Sequence, residues 1–213
     1  MAFASPNYPR NYPDNLNICW PIYAGRYYPI ISFPHFDTDD NDLVRVYDGD
    51  TTSSTLLLAA SGVYVGGYVR NVVVSSTDQM LVVFTADDKS SSVGFQAQYS
   101  FCWVPQFDRG TISSPDYPNS YDNFAVVCWV INPPAGFVVS LFFNQLALGS
   151  GDYVRIFDGT STNSPVLINL YGTTVPSLNR ITSSSNVMLV IFSSDYIGYS
   201  TGFRASYNSV LVG

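Results

Sequence analysis

The chain has 213 residues, a net charge of −7 and 12% charged side chains, about half the usual share of roughly 25%. No basic run or patch is visible, which disfavours nucleic acid and anionic membranes as partners; no apolar run reaches the roughly 20 residues of a helical membrane span. All sixteen acids are Asp, and of nine bases only Lys89 is not Arg. The good helix formers Glu and Lys are nearly absent, while there are 16 Tyr and 14 Phe, so the composition describes an all-β protein.

Residues 1–4 lead straight into Ser-Pro turn chemistry, so no signal peptide is expected in this chain. From 5 to 13, Pro6, Pro9 and Pro13 with Asn between them make a turn-forming stretch, expected as extended or polyproline-like chain crossing a sheet end. Strands are predicted over 19–22 and 28–33. Asp37, Asp39, Asp40 and Asp42 then place four carboxylates within six residues. Like charges this close repel by roughly 1 kcal/mol per pair even in water. Such a loop is either fully solvated or neutralised by a cation. The strand after it alternates: Val44 and Val46 point one way, Leu43, Arg45 and Tyr47 the other, and the pair Asp48-Gly49 closes it. A short strand over 56–60, a glycine-rich connection over 62–67 and strands over 71–75 and 79–84 follow. Met80 to Phe84 is apolar throughout, as in a strand covered on both faces and central in its sheet. A polar loop over 87–93 leads to a last strand over 94–99, with Phe95, Ala97 and Tyr99 on one side.

The pattern then repeats about 110 residues later. Asp152-Tyr153-Val154-Arg155-Ile156-Phe157-Asp158-Gly159 matches Asp42 to Gly49 nearly residue for residue. Ser114-Pro115-Asp116-Tyr117-Pro118 matches Ser5 to Pro9, and Cys128-Trp129 matches Cys19-Trp20. Met188 to Phe192 matches Met80 to Phe84, and Gly202 to Tyr207 matches Gly94 to Tyr99. Five blocks in one order at nearly one spacing define a tandem repeat, and the period suits a complete small domain. The expected domains are 1–100, beginning late relative to its copy, and 101–213. Short strands separated by Gly, Pro, Ser and Asp turns describe antiparallel β-sandwiches. The apolar linker over 100–109, with Phe101, Trp103, Val104 and Phe107, is expected to pack against one or both domains.

Ser-Pro-x-Tyr-Pro, a Cys before Trp, Asp-x-Val-x-Val-x-Asp-Gly, and Phe-x-x-Asp with Gly-Phe ten residues after that Phe together resemble the CUB domain, once in each copy. The resemblance implies jelly-roll-like sandwiches in an extracellular protein that recognises proteins or glycans without catalysis. It implies a Cys102–Cys128 disulfide, with the second disulfide of the family absent from both copies. Cys19, the counterpart of Cys128, is left unpaired in this chain: a buried thiol beside Trp20, a bond to another chain, or a natural protein that begins earlier. The resemblance also implies a calcium site in the first copy, with Asp39, Asp42 and Asp87 as ligands supported by Tyr12. The second copy keeps Asp152, Asp195 and Tyr121 but has Leu146-Ala147-Leu148-Gly149 where the first has Phe36-Asp37-Thr38-Asp39, so its site is expected to be weaker.

No catalytic constellation is visible. His35, the one His, is expected as a structural residue at a strand end, and the three scattered Cys lack zinc-ligand spacing. Two functions stay open. One is a recognition module whose calcium-ordered acidic loop captures basic groups of a partner. The other is a structural subunit of an extracellular filament, coat or matrix, assembled head to tail through the tail Val210-Leu211-Val212 docking on the first domain of a neighbouring chain.

Overall fold

A computed structural model of the chain describes residues 1–63, 72–89, 91–105, 108–173, 180–198 and 200–212. The chain divides into two compact units, Met1–Phe101 and Cys102–Gly213. Each unit is two four-stranded antiparallel sheets face to face, and no helix occurs among the described residues.

In the first unit the strands are β1 (Ala2–Ala4), β2 (Asn17–Tyr23), β3 (Pro29–Asp37), β4 (Leu43–Asp48), β5 (Thr55–Ala60), β6 (Val73–Val74), β7 (Gln79–Thr85) and β8 (Gly94–Phe101). They form sheets in the orders β1-β8-β3-β6 and β2-β7-β4-β5. The second unit repeats this with β9 (Arg109–Ser113), β10 (Val126–Ile131), β11 (Phe137–Ala147), β12 (Tyr153–Phe157), β13 (Val166–Leu170), β14 (Ile181–Thr182), β15 (Met188–Ser193) and β16 (Gly202–Leu211), ordered β9-β16-β11-β14 and β10-β15-β12-β13. The all-β tandem sandwich is therefore as the residue pattern required.

Strand alternation builds the cores. Val44, Val46, Met80, Val82 and Phe84 from one sheet meet Ile31, Phe33, Phe95 and Ala97 from the other, all buried. Each large side chain so buried contributes roughly 1.5–3 kcal/mol. The apolar run of β7 lies between β2 and β4 and is buried from Met80 to Phe84, as a central strand should be.

Local structure adds to these expectations, or departs from them, for identifiable reasons. Residues 2–4 form β1, because Phe3 finds Trp20 to stack on at 4.8 Å. The 5–13 stretch forms turns, as its Pro and Asn content required, and not extended chain: Tyr8 N–H is bonded to Ser5 O and Arg10 N–H to Asn7 O. Strand β3 continues to Asp37 because Pro34 sits in a bulge between Ser32 and His35, where the ladder needs no N–H from it. His35 is accordingly within the strand, exposed beside the Tyr8 ring at 5.4 Å. Of the connection over 62–67 and the strand over 71–75, residues 64–71 lie outside the described residues.

The linker pairs with the second domain through Trp103, as expected, while its Phe107 lies outside the described residues; the tail differs from expectation. Trp103 bridges in parallel to Trp129 through its backbone, yet its side chain is 70% exposed. Val210 and Leu211 finish β16, paired with Val138 and Phe137, so the tail is a strand end instead of a free arm. Cys102 and Cys128 form a disulfide and are both buried. Cys19 is exposed, which corrects its reading as a buried thiol: β2 turns Ile22 inward and Cys19 outward, and β2 is an edge strand with no strand beyond it in its sheet among the described residues.

Candidate functional site

The acidic loop lies where β3 ends, β4 begins and β7 ends. At its centre Asp42 is buried at the mouth of β4. Tyr12, buried after the turns of the 5–13 stretch, donates its hydroxyl to Asp42 Oδ2 at 2.5 Å. The same Tyr12 oxygen accepts the Asp39 N–H at 2.9 Å, and Asp42 Oδ1 accepts the Asp87 N–H at 2.8 Å. One tyrosine and one carboxylate thus tie three chain segments. Burial pushes the Tyr12 hydroxyl up to about 12, with its hydrogen bond to Asp42 acting in the same direction.

Thr38, which the sequence reading passed over, completes the loop. Its buried hydroxyl donates to Asp42 O at 3.0 Å and accepts the Gly62 N–H at 3.1 Å. A small hydroxyl residue inside an acidic run carried no distinguishing signal. The Asp39 and Asp87 side chains turn to their own loops, accepting from Asn41 N–H at 3.2 Å and Lys89 N–H at 2.9 Å. Among the described residues no three His, Cys, Asp or Glu side chains converge closely enough to hold a metal. The donor set still fits calcium in kind, because it consists of hard carboxylate oxygens. No Lys or Arg side chain is bonded to Asp39, Asp42 or Asp87 among the described residues.

The second unit keeps the lock and loses two of the carboxylates, those of Asp37 and Asp39. Tyr121 donates to Asp152 Oδ2, accepts the Gly149 N–H at 2.7 Å, and Asp152 Oδ1 accepts the Asp195 N–H at 2.8 Å. Burial raises both Tyr121 and Asp152 above their ordinary values; for Asp152 the hydrogen bond from Tyr121 opposes this. Gly149 stands in the place of Asp39, and Leu146 and Leu148 are buried in the core. A Cβ at Gly149 would stand 2.7 Å from Asp152 Oδ2, so this end is closed over its carboxylate.

The CUB domain family model matches residues 1–99 and 106–207. The chain belongs to the CUB domain family. It is similar to the embryonic protein UVS.2 of Xenopus laevis, 30% identical over 97% of this chain and 41% of that one. Cubilin of Canis lupus familiaris is 31% identical over 98% of this chain and 6% of its own length. Neuropilin-2 of Homo sapiens is 27% identical over 95% and 24%. The chain therefore spans less than half the length of these curated relatives. Among solved structures, the CUB1-EGF-CUB2 domain of human MASP-1/3 matches with a TM-score of 0.45 and 22% identity over 99% of each chain. The MASP-1 CUB2 domain bound to Ca²⁺ matches with a TM-score of 0.41 and 27% identity, over 50% of this chain and 96% of that one.

Proposed function

We propose that this tandem CUB chain is a non-catalytic extracellular recognition module, whose first-domain acidic loop is ordered by calcium and binds basic groups of a partner protein or glycan. The observation that carries the reading is the Tyr12–Asp42 lock. It holds a buried carboxylate beside Asp39 and Asp87, at a domain end where no basic side chain is bonded to them among the described residues. A divalent cation with oxygen preference would relieve that charge and draw Asp39 and Asp87 toward Asp42. The Cys102–Cys128 disulfide supports an oxidising compartment. Assembly head to tail is the weaker reading, since Leu211 is already paired with Phe137.

The test is thermal unfolding of the intact chain with calcium or chelator. Calcium at roughly 10⁻⁴–10⁻³ M, the usual range of extracellular sites, raises the first domain's melting temperature. Asp39→Ala and Asp87→Ala, at positions that do not form the buried lock, remove the rise. An unchanged melting curve with no calcium retained would return the loop to an ordinary solvated turn.

A further inference from the structure

The four strands β9, β16, β11 and β14 contain no acidic residue, in a chain with sixteen Asp. They instead gather three arginines from distant parts of the sequence. Arg109 opens β9, Arg204 lies in β16 and Arg180 directly precedes β14; all three are exposed. Alternation points Ile112, Phe203, Ala205 and Tyr207 into the core, leaving Arg109 and Arg204 on the outer face. Arg180 donates to neutral oxygens, Ser140 Oγ at 3.5 Å and Asn208 Oδ1 at 3.4 Å, and its guanidinium lies over the Phe142 ring. The corresponding sheet of the first domain has Gln96 in place of Arg204 and no Arg or Lys in its described strands, Arg70 lying outside the described residues.

This sheet ends at β9, whose far side pairs with no strand among the described residues. Beside that edge runs a groove of about 410 Å³ lined by Trp103, Pro105, Arg109, Ile112, Trp129 and Tyr207, among others. A second groove of about 380 Å³, also lined by Trp103, Ile112 and Trp129, continues past Ser113 to Pro115. In the first domain Phe3 holds the equivalent place to Ile112, opposite Ala97 as Ile112 is opposite Ala205. There the Phe3 ring stacks on Trp20. Ile112 brings no ring to Trp129, and the exposed Trp103 forms the groove's outer wall.

We propose that β9 is a docking edge for an extended segment of a partner protein in which acidic and apolar side chains alternate. An added strand would pair its backbone with β9, the strand-addition mode of peptide recognition. Successive side chains of a strand point to opposite faces. One set would therefore fall on the outer face, beside Arg109 with Arg204 one strand further in. The other set would fall into the groove against Trp103, Ile112 and Trp129. Charge complementarity selects the acidic character of the first set, because the face is basic in an otherwise acidic chain. The edge is separate from the acidic loop, so the proposal does not rest on calcium.

The test uses the intact chain in chelator and a fluorescein-labelled heptapeptide, Asp-Phe-Asp-Val-Asp-Phe-Asp, measured by fluorescence anisotropy. Its controls are an isomer with the Asp residues in one block and a peptide with Ser replacing Phe and Val. The alternating peptide binds, both controls bind at least about tenfold more weakly, and affinity falls as salt rises. The Arg109→Gln/Arg204→Gln double variant loses about tenfold. Ile112→Phe fills the groove as Phe3 does in the first domain and blocks binding. Trp103→Ala removes an exposed wall without touching the core and weakens binding independently of any folding defect in Ile112→Phe. Equal binding of peptide and controls, or affinity unchanged in both the arginine and Trp103 variants, would overturn the proposal.

Discussion

Gly94 lies directly against the hydroxyl of Ser5: a Cβ on this glycine would stand 1.9 Å from Ser5 Oγ. The two residues close a latch. Ser5 N–H donates to Phe95 O and Phe95 N–H donates to Ser5 Oγ, each at 3.0 Å. Gly202 and Ser114 repeat it, with a Cβ placed at 1.8 Å. Two motifs some 90 residues apart in sequence are thus one piece of structure, tying the turns that carry Tyr12 to the last strand of the sheet.

Gly94→Ala should therefore be costly. Its φ of +88° is strained for any residue with a Cβ, and the added carbon overpacks the Ser5 contact. Together these cost on the order of 3 kcal/mol, read as a lowered denaturation midpoint of the first domain. The double change Ser5→Gly/Gly94→Ala should recover the steric part. A single variant as stable as the parent would mean that the latch contributes nothing.

Tyr12→Phe removes the donor to Asp42 and the acceptor of the Asp39 N–H while keeping the ring against Phe84 at 4.9 Å. A buried acceptor on Asp42 and a part-buried N–H of Asp39 are left unsatisfied, a loss of roughly 1–3 kcal/mol. Tyr121→Phe should do the same in the second domain through Asp152 and Gly149. Equilibrium unfolding checks both, and no loss in either variant would show that water replaces the hydroxyl freely.

The fold was legible because each strand announces itself locally and the repeat supplies every signal twice. The resemblance to the CUB domain, and not the residue pattern alone, brought Tyr12, Asp42 and Asp87 into consideration together. What stayed hidden depends on long-range placement. Thr38 gains its role only when Gly62 arrives beside it. Cys19 and Cys128 read alike, yet one is exposed and the other covered, because only the second domain has a Cys102 to cover it. The basic sheet face was invisible, since Arg109, Arg180 and Arg204 lie far apart in a sequence without a basic run. Phe3 carried no strand signal because its reason to be in a strand, Trp20, is across the sandwich.

The thiols should behave unequally. Cys19 is open to solvent, so one thiol per folded chain reacts with a thiol reagent without denaturant, and Cys19→Ser leaves unfolding unchanged. Reducing Cys102–Cys128 should cost the second domain on the order of 2–4 kcal/mol and leave the first unaffected. Peptide mapping without reduction checks the pairing; a link from Cys19 to either of the other cysteines would contradict it.

At alkaline pH the buried tyrosines should set the limit of stability. Burial raises Tyr12 to about 12 and also raises Tyr121 and Tyr207 above the ordinary 10. A group whose proton is held more tightly in the folded state adds stability that is complete below its unfolded value. That stability is lost as pH rises, here from about 10 through 12 for Tyr12. Absorbance titration should show late-ionising tyrosines whose titration coincides with unfolding. If every tyrosine titrates near 10 with the fold intact, the Tyr12–Asp42 lock is open in solution.

Calcium should protect one end of the chain and not its copy. The first domain offers Asp39, Asp42 and Asp87 around Tyr12, whereas the second has Gly149 in place of Asp39 and only Asp152 and Asp195 around Tyr121. Two carboxylates supply too few charged oxygens for an ion that takes six to eight ligands. Hydrogen exchange on the intact chain separates the domains: calcium slows exchange at residues 39–42 and 87–89, with little change at 149–152 and 195–197. Gly149→Asp alone should not transfer the response. Its Cβ would meet Asp152 Oδ2 at 2.7 Å, overpacking the lock at a cost of roughly 1–3 kcal/mol before the new carboxylate could reach an ion. Calcium-dependent protection at 149–152 in the unaltered chain would place the stronger site in the second domain and remove Asp39 from the ligand set.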